Sequence, residues 1–190
     1  IMSQVIIKGA NSFEGGLLFG VNSADEKQIN SAVAAGLEDR ELDGYGLLVG
    51  QGVKNEMMIN ENDKLTLIFT KNDPSGFALT PKMKRFDVVS SFSSGLVAYD
   101  KSYLYTSVEA LRKILEYDEG KFDGIHVFSN DPFADIEKIS RELRLGQKAI
   151  GWWQQNGNFF SALALEKRAL FIVLMLIILV ASLNIVSSLL

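Results

Sequence analysis

Short apolar runs, spaced now by two and now by three or four, mark out the first half of the chain. Val5, Ile6 and Ile7 and then Leu17, Leu18 and Phe19 flank a turn region, 9–16, carrying Gly, Asn and Ser, and the pattern predicts a pair of strands. Ser23 and Glu26 are spaced as in a capping box, and Ile29, Val33 and Leu37 follow at helical spacing, which predicts a helix starting at Ser23. Gly44, Gly46, Gly50 and Gly52 then punctuate an apolar stretch at 47–49. No strand leads into Gly44-Tyr45-Gly46, so these glycines are read as room for a helix packed closely on a sheet rather than as a dinucleotide fingerprint.

Asn62-Asp63 reads as a turn into a strand over 64–70, where Leu65, Leu67 and Phe69 alternate with other side chains. A second strand, 85–92, places Phe86, Val88, Ser90 and Phe92 on one side, and the two are expected to pair. The 71–84 connection between them is long for a hairpin in a compact domain, and its composition favours a functional loop. Pro74 and Pro81 stiffen it, while Phe77, Leu79 and Met83 stand where a solvated loop would carry polar residues. The arm from Lys71 to Arg85 has a net charge of +3 in an otherwise acidic chain. Pro74, Phe77, Leu79, Thr80, Pro81 and Met83 are the candidate partner-binding residues.

Beyond it, Thr106 and Glu109 form a second capping box, with Val108, Leu111 and Leu115 on one helical face and Gly120 as the stop. A strand is predicted over 122–129, around Ile125, Val127 and Phe128. Asp131 caps the next helix with Pro132 at its first position; Ile136, Ile139 and Leu143 form its buried stripe. Glu137 with Arg141 and Lys138 with Glu142 are spaced as exposed ion pairs, and Gly146 ends the helix. A returning strand at 149–153 makes 122–153 a strand, helix, strand unit of about the minimum length for a crossover.

The last segment, 169–190, has 22 residues, no charge and 18 apolar side chains. At about 1.5 Å per residue it reaches roughly 33 Å, against about 30 Å of bilayer hydrocarbon. A buried core helix would carry a polar stripe, whereas the polar side chains here are Ser182, Asn184, Ser187 and Ser188. Ala181, Asn184 and Ser188 share one helical face and are the candidate helix-contact residues. The predicted organisation is an α+β extracytoplasmic domain over 1–165 followed by a transmembrane helix over 166–190. Residues 4–8 already read as a strand, so the natural N-terminus is expected to lie upstream.

The 19 basic and 23 acidic residues give a net charge of -4 and a pI near 5.1, which argues against nucleic acid as a partner. The absence of cysteine excludes disulfides and thiolate metal sites. His126, the single histidine, falls within a predicted apolar strand and is read as structural. The acidic cluster Glu38, Asp39, Glu41 and Asp43 is read as a solvated connection. With no nucleophile and base set and no phosphate-cradling loop, the chain is not expected to be an enzyme or to bind a cofactor, and any ATP hydrolysis belongs to another chain.

The junction after Trp152 reads W-W-Q-Q-N-G-N-F-F-S-A-L-A-L-E-K-R, and the apolar helix carries L-N-I-V-S-S-L-L. This resembles the end of the large periplasmic domain and the second transmembrane helix of the LolC/LolE family of lipoprotein-releasing ABC permeases. Gly50 to Phe69 is similar to a helix, turn and strand of the wider MacB and FtsX-like permease group, and G-I-H-V-F-S-N-D-P at 124–132 resembles the family's strand before its last soluble helix.

The resemblance implies an inner-membrane subunit with four transmembrane helices, the second of them present here, and a periplasmic domain with a porter-like βαβ part and a mostly β part. The implied partners are a cytoplasmic ATPase subunit, a second permease subunit in a homo- or heterodimer, a periplasmic lipoprotein chaperone and lipoprotein substrates. F-A-L-T-P at 77–81 occupies the place of the protruding hook that holds the chaperone in LolC-type subunits, though not every residue agrees, and LolE-type subunits share the architecture without that task. Lys167 and Arg168 at the helix start would by the positive-inside rule put that end in the cytoplasm, opposite to the family. A MacB-type efflux permease and a single-span membrane-anchored sensor are the competing readings; an FtsX-type permease generally has a smaller extracytoplasmic domain.

Overall fold

A computed structural model describes residues 1–9, 12–69, 81–155 and 157–189. The α+β expectation is met by a β-rich unit, Ile1–His126, and a helical one, Val127–Leu190. The first runs β1 (Met2–Lys8), β2 (Phe13–Val21), α1 (Ser23–Ile29), α2 (Ser31–Leu37), β3 (Gly46–Gly50), α3 (Gln51–Met57), β4 (Lys64–Phe69), β5 (Lys82–Phe92), α4 (Val97–Asp100), β6 (Tyr103–Ser107) and α5 (Val108–Leu115).

Both expected strand pairs form. β1 lies antiparallel to β2, β4 antiparallel to β5, and β1 also pairs with β4, closing a barrel in the order β1-β2-β6-β3-β5-β4. Two neighbours, β2 with β6 and β3 with β5, are parallel and require the helical crossovers between them. Alternation decides what points inward: Val5 and Ile7 of β1, Leu65, Leu67 and Phe69 of β4, and Phe86 and Val88 of β5 are all buried. Val53 and Met57 of α3 and Leu111 and Ile114 of α5 join that core. Outside the barrel, Val33 and Leu37 of α2 pack with Leu48, Phe92 and Tyr105 in a second apolar cluster.

Phe92 belongs to this outer cluster because of one irregularity. In the register between β3 and β5, Leu47 meets Val88 and Leu48 meets Ser90, so Val89 is an extra residue. A bulge of this kind reverses the side-chain alternation beyond it, and Phe92 leaves the face that Phe86 and Val88 share.

The helix expected from Ser23 is two helices, broken at Asn30. Asn30 is extended (φ -125°, ψ 98°), and its side chain accepts from the N–H of Val33, 3.3 Å away, as the cap of α2. Asparagine's side chain competes with the helical ladder in this way, which is why it favours caps over interiors. The caps of α1 and α5 each lie one residue from the Ser23 and Thr106 expected: Asn22 caps α1 and Ser107 caps α5. Ser23 instead accepts from the N–H of Leu42, and Thr106, still in the barrel, donates to the carbonyl of Gly46. Close packing explains Gly50 and Gly52 as expected, a Cβ on Gly50 lying 2.1 Å from the carbonyl oxygen of Asp100, whereas Gly44 faces open space and is explained by its left-handed backbone, φ 53°.

The second unit contains α6 (Pro132–Glu142), α7 (Trp152–Gln155) and α8 (Gly157–Leu189). The strand, helix, strand unit expected over 122–153 is corrected here: its helix forms, capped by Asp131 with Pro132 at its start, but neither flank is a strand. β-structure requires a ladder, and neither segment has a strand partner among the described residues; Ile125, Val127, Phe128 and Ile150 stay exposed. Trp152 and Trp153 wind into α7 instead, with Trp153 stacked on Phe133 at 4.3 Å between ring centroids. Ile136, Ile139 and Leu143 are half-buried rather than buried. Of the two expected ion pairs Glu137–Arg141 forms, at 3.8 Å, while Lys138 turns back to Asp135 at 2.8 Å.

Candidate functional site

Sequence reasoning nominated two places: the connection between β4 and β5, and the polar face of the last helix. Of the loop residues, Pro74, Phe77, Leu79 and Thr80 lie outside the described residues, and Pro81 and Met83 are seen at its foot. The foot is well held. The β4–β5 ladder continues to its end, pairing Ile68 with Met83 and Phe69 with Lys82. Lys82 reaches the carboxylate of Glu116 beyond α5, and Lys84 stands 3.7 Å above the Tyr45 ring, so two of the loop's positive charges are engaged at its base. Pro81 is exposed, and Met83 is 62% exposed with its side chain on the outer surface.

α8 is one unbroken helix of 33 residues, about 50 Å long, and is long and apolar enough to cross a membrane. It passes without a break through Glu166, Lys167 and Arg168, so the chain enters the apolar stretch as helix and not as a linker. Ser182 donates to the carbonyl of Ile178 at 2.8 Å, satisfying its hydroxyl within the helix. Asn184 makes no side-chain hydrogen bond among the described residues, and Ala181, Asn184 and Ser188 are all exposed. An amide in an apolar environment is costly until it finds a partner, and a face of small side chains lets a second helix approach closely enough to supply one.

Two features of the barrel unit carried weak sequence signals. On its outer surface Tyr99 and Tyr105 share a hydrogen bond of 2.5 Å, Asn30 donates to the Tyr105 hydroxyl at 3.3 Å and to Glu26 at 3.1 Å, and Tyr99, Tyr103 and Phe19 stack in sequence. Burial, together with the bond to Tyr99, pushes the Tyr105 hydroxyl far above its ordinary value, and burial raises Tyr99 as well, so the two hydroxyls stay neutral and structural. Tyr103 and Tyr105 alternate along β6; only the long-range contact with α1 and α2 reveals their role. His126 adjoins this cluster and corrects the expectation of a histidine inside an apolar strand: its side chain is 62% exposed, with Nδ1 3.9 Å from Glu26.

The second feature is the turn before α4. Ser93 and Ser94 hydroxyls and the Ser94 N–H all donate to the Asp100 carboxylate, at 3.1, 2.7 and 2.8 Å. Burial pushes this carboxyl up, but the hydrogen bonds outweigh burial and hold it below its ordinary value. A carboxylate with a lowered folded pKa contributes stability that is present above the unfolded value, about 3.9, and is lost as pH falls through the folded value. Asp100→Asn is expected to cost about 1–3 kcal/mol at pH 5. The variant should also lose less stability than the parent between pH 5 and pH 3, as measured by urea unfolding of the detergent-solubilised chain. Among the described residues no group of three or more His, Asp or Glu side chains is placed to hold a metal ion.

No family model matches the chain. It is similar to the lipoprotein-releasing system transmembrane protein LolC of Neisseria meningitidis serogroup B, at 25% identity over 197 residues, covering 100% of this chain and 47% of that protein. The LolC of Buchnera aphidicola from Schizaphis graminum is 28% identical over 192 residues, covering 100% of this chain and 48% of its own length. That of Haemophilus influenzae is 27% identical over 190 residues, with 98% and 48% covered. The chain thus spans about half the length of the curated relatives it matches.

Proposed function

We propose that this chain, LolC/LolE-like over its whole length, is part of a permease subunit of an ABC transporter that extracts lipoproteins from the bacterial inner membrane and passes them to a periplasmic chaperone for delivery to the outer membrane. The similarity to LolC proteins from end to end carries the reading. The order of a β-rich unit and then a membrane-length helix supports it. Residues 1–165 are assigned to the periplasm and 166–190 to the membrane. ATP hydrolysis is assigned to a separate cytoplasmic subunit, and a second permease subunit completes the membrane part.

In this mechanism the ATPase closes and opens, and α8 carries the movement towards the periplasmic domain. A helix transmits axial displacement because each residue is tied to the next turn by a backbone hydrogen bond, and α8 has no break between its first turn and its apolar stretch. Ala181, Asn184 and Ser188 are assigned as the contact with a neighbouring helix. The β4–β5 loop, through Pro74, Phe77, Leu79, Thr80, Pro81 and Met83, is assigned to chaperone capture.

The test is ATP-driven lipoprotein release from proteoliposomes holding the full-length permease and its ATPase subunit. No release by the parent complex would overturn the function. Asn184→Leu is expected to slow release about threefold or more, one interhelical hydrogen bond being worth about 0.6–2 kcal/mol. Release at the parental rate would remove Asn184 from the coupling path.

A further inference from the structure

After α5 the chain leaves the barrel through residues 117–126, a stretch without helix or strand that leads to the second unit. A flexible linker of that length has an r.m.s. end-to-end distance of roughly 18 Å, enough slack to absorb displacements of several ångströms. This stretch is instead pinned to the barrel unit over its second half, 122–126, the end that leads to the second unit. The Asp123 carboxylate accepts from the N–H of Met2 at 2.8 Å and from the Tyr117 hydroxyl at 3.2 Å, tying the stretch to the beginning of β1 and folding it on itself. The Arg112 guanidinium of α5 lies 5.1 Å from the Phe122 ring centroid, and the Lys121 ammonium 4.2 Å from that of Tyr117.

At the far end the His126 ring rests against Phe19, 6.2 Å between centroids, beside the Glu26 carboxylate. That carboxylate is itself immobilised: Glu26 is 6% exposed and accepts from Asn30, which also donates to the Tyr105 hydroxyl on β6. Each exposed anchor is worth little alone, but several acting on one short segment remove its freedom together.

We propose that residues 117–126 are a fastened strap that delivers displacement of the second unit to the barrel, with Asp123 and His126 as its positioning residues. The proposal rests on the permease reading above. It predicts that loosening the strap uncouples the machine without unfolding the barrel or stopping ATP hydrolysis.

The experiment uses the full-length permease with its ATPase subunit in proteoliposomes and reads lipoprotein released per ATP hydrolysed, together with amide hydrogen exchange. In Asp123→Ala/His126→Ala, release per ATP should fall about fivefold or more, the lower end of a typical coupling free energy between sites. Exchange over 117–126 should rise while β1 to β6 keep their protection. The conservative Asp123→Asn keeps a side-chain oxygen to accept from the Met2 N–H, so it should hold release per ATP near the parental ratio. An unchanged ratio in the loosened variant, or a loss in Asp123→Asn as large as in that variant, overturns the strap. Absence of release by the parent complex overturns the permease reading instead, and exchange over 117–126 that does not respond to the substitutions overturns the fastening by itself.

Discussion

Phe86→Ala is expected to destabilise the barrel by about 3–5 kcal/mol, the cost of deleting a buried aromatic ring whose surroundings relax only in part. The side chain is 0% exposed, meets Tyr45 edge-on at 5.8 Å and lies 6.3 Å from Phe69, so the removed ring leaves a void between two aromatic rings. A domain with an ordinary total stability of about 5–15 kcal/mol would lose a large fraction of it. Hydrogen exchange of the β5 amides is the direct measurement: their protection should fall by the same free energy, about a hundredfold or more. A loss below about 1 kcal/mol would mean that the barrel closes over the gap.

The second large effect concerns the β4–β5 loop. Removing residues 77–81 is expected to abolish capture of the periplasmic chaperone, while Phe77→Ala or Leu79→Ala each weakens it by about 1–3 kcal/mol, the range for apolar anchors at an interface centre. The ladder at the loop's foot ends with Phe69 opposite Lys82, so the shortened loop still begins and ends on paired strands. Titration of the purified chaperone against the full-length permease in detergent checks both variants. Equal affinity of the shortened and parental proteins would show that the chaperone docks elsewhere.

What could be read from the chain was whatever depends on near neighbours. The apolar run in β1, the alternation in β4 and in β5 as far as Val88, the Asp131-Pro132 start of α6 and the membrane-length helix are all local patterns, and all of them are found. Barrel closure is not local: β1 meets β4 across some sixty residues, and the parallel partners of β2 and β3 are set by how the helices pack. β3 is buried at every position, so it carries no alternation to recognise. Val89 shows the same limit on a smaller scale, since a single extra residue reassigns Phe92 and leaves no mark on composition. Residues 122–129 show the converse, apolar and β-branched yet unpaired, because propensity alone does not supply a neighbouring strand. For the site, the loop's residue types and the Ala181, Asn184, Ser188 spacing were legible, whereas the anchoring of Asp123 and His126 depends on contacts with Met2 and Glu26 that no spacing rule predicts.

Because β1 pairs with both β2 and β4, the ring of strands is closed and each strand has a neighbour on either side over at least part of its length. An incoming polypeptide therefore finds no strand that is free along one whole side, and the sheet offers it only short stretches to extend. For a protein that would handle partly exposed lipoproteins and their carriers, closure limits misdirected strand exchange and leaves recognition to side chains and to whatever projects from the rim.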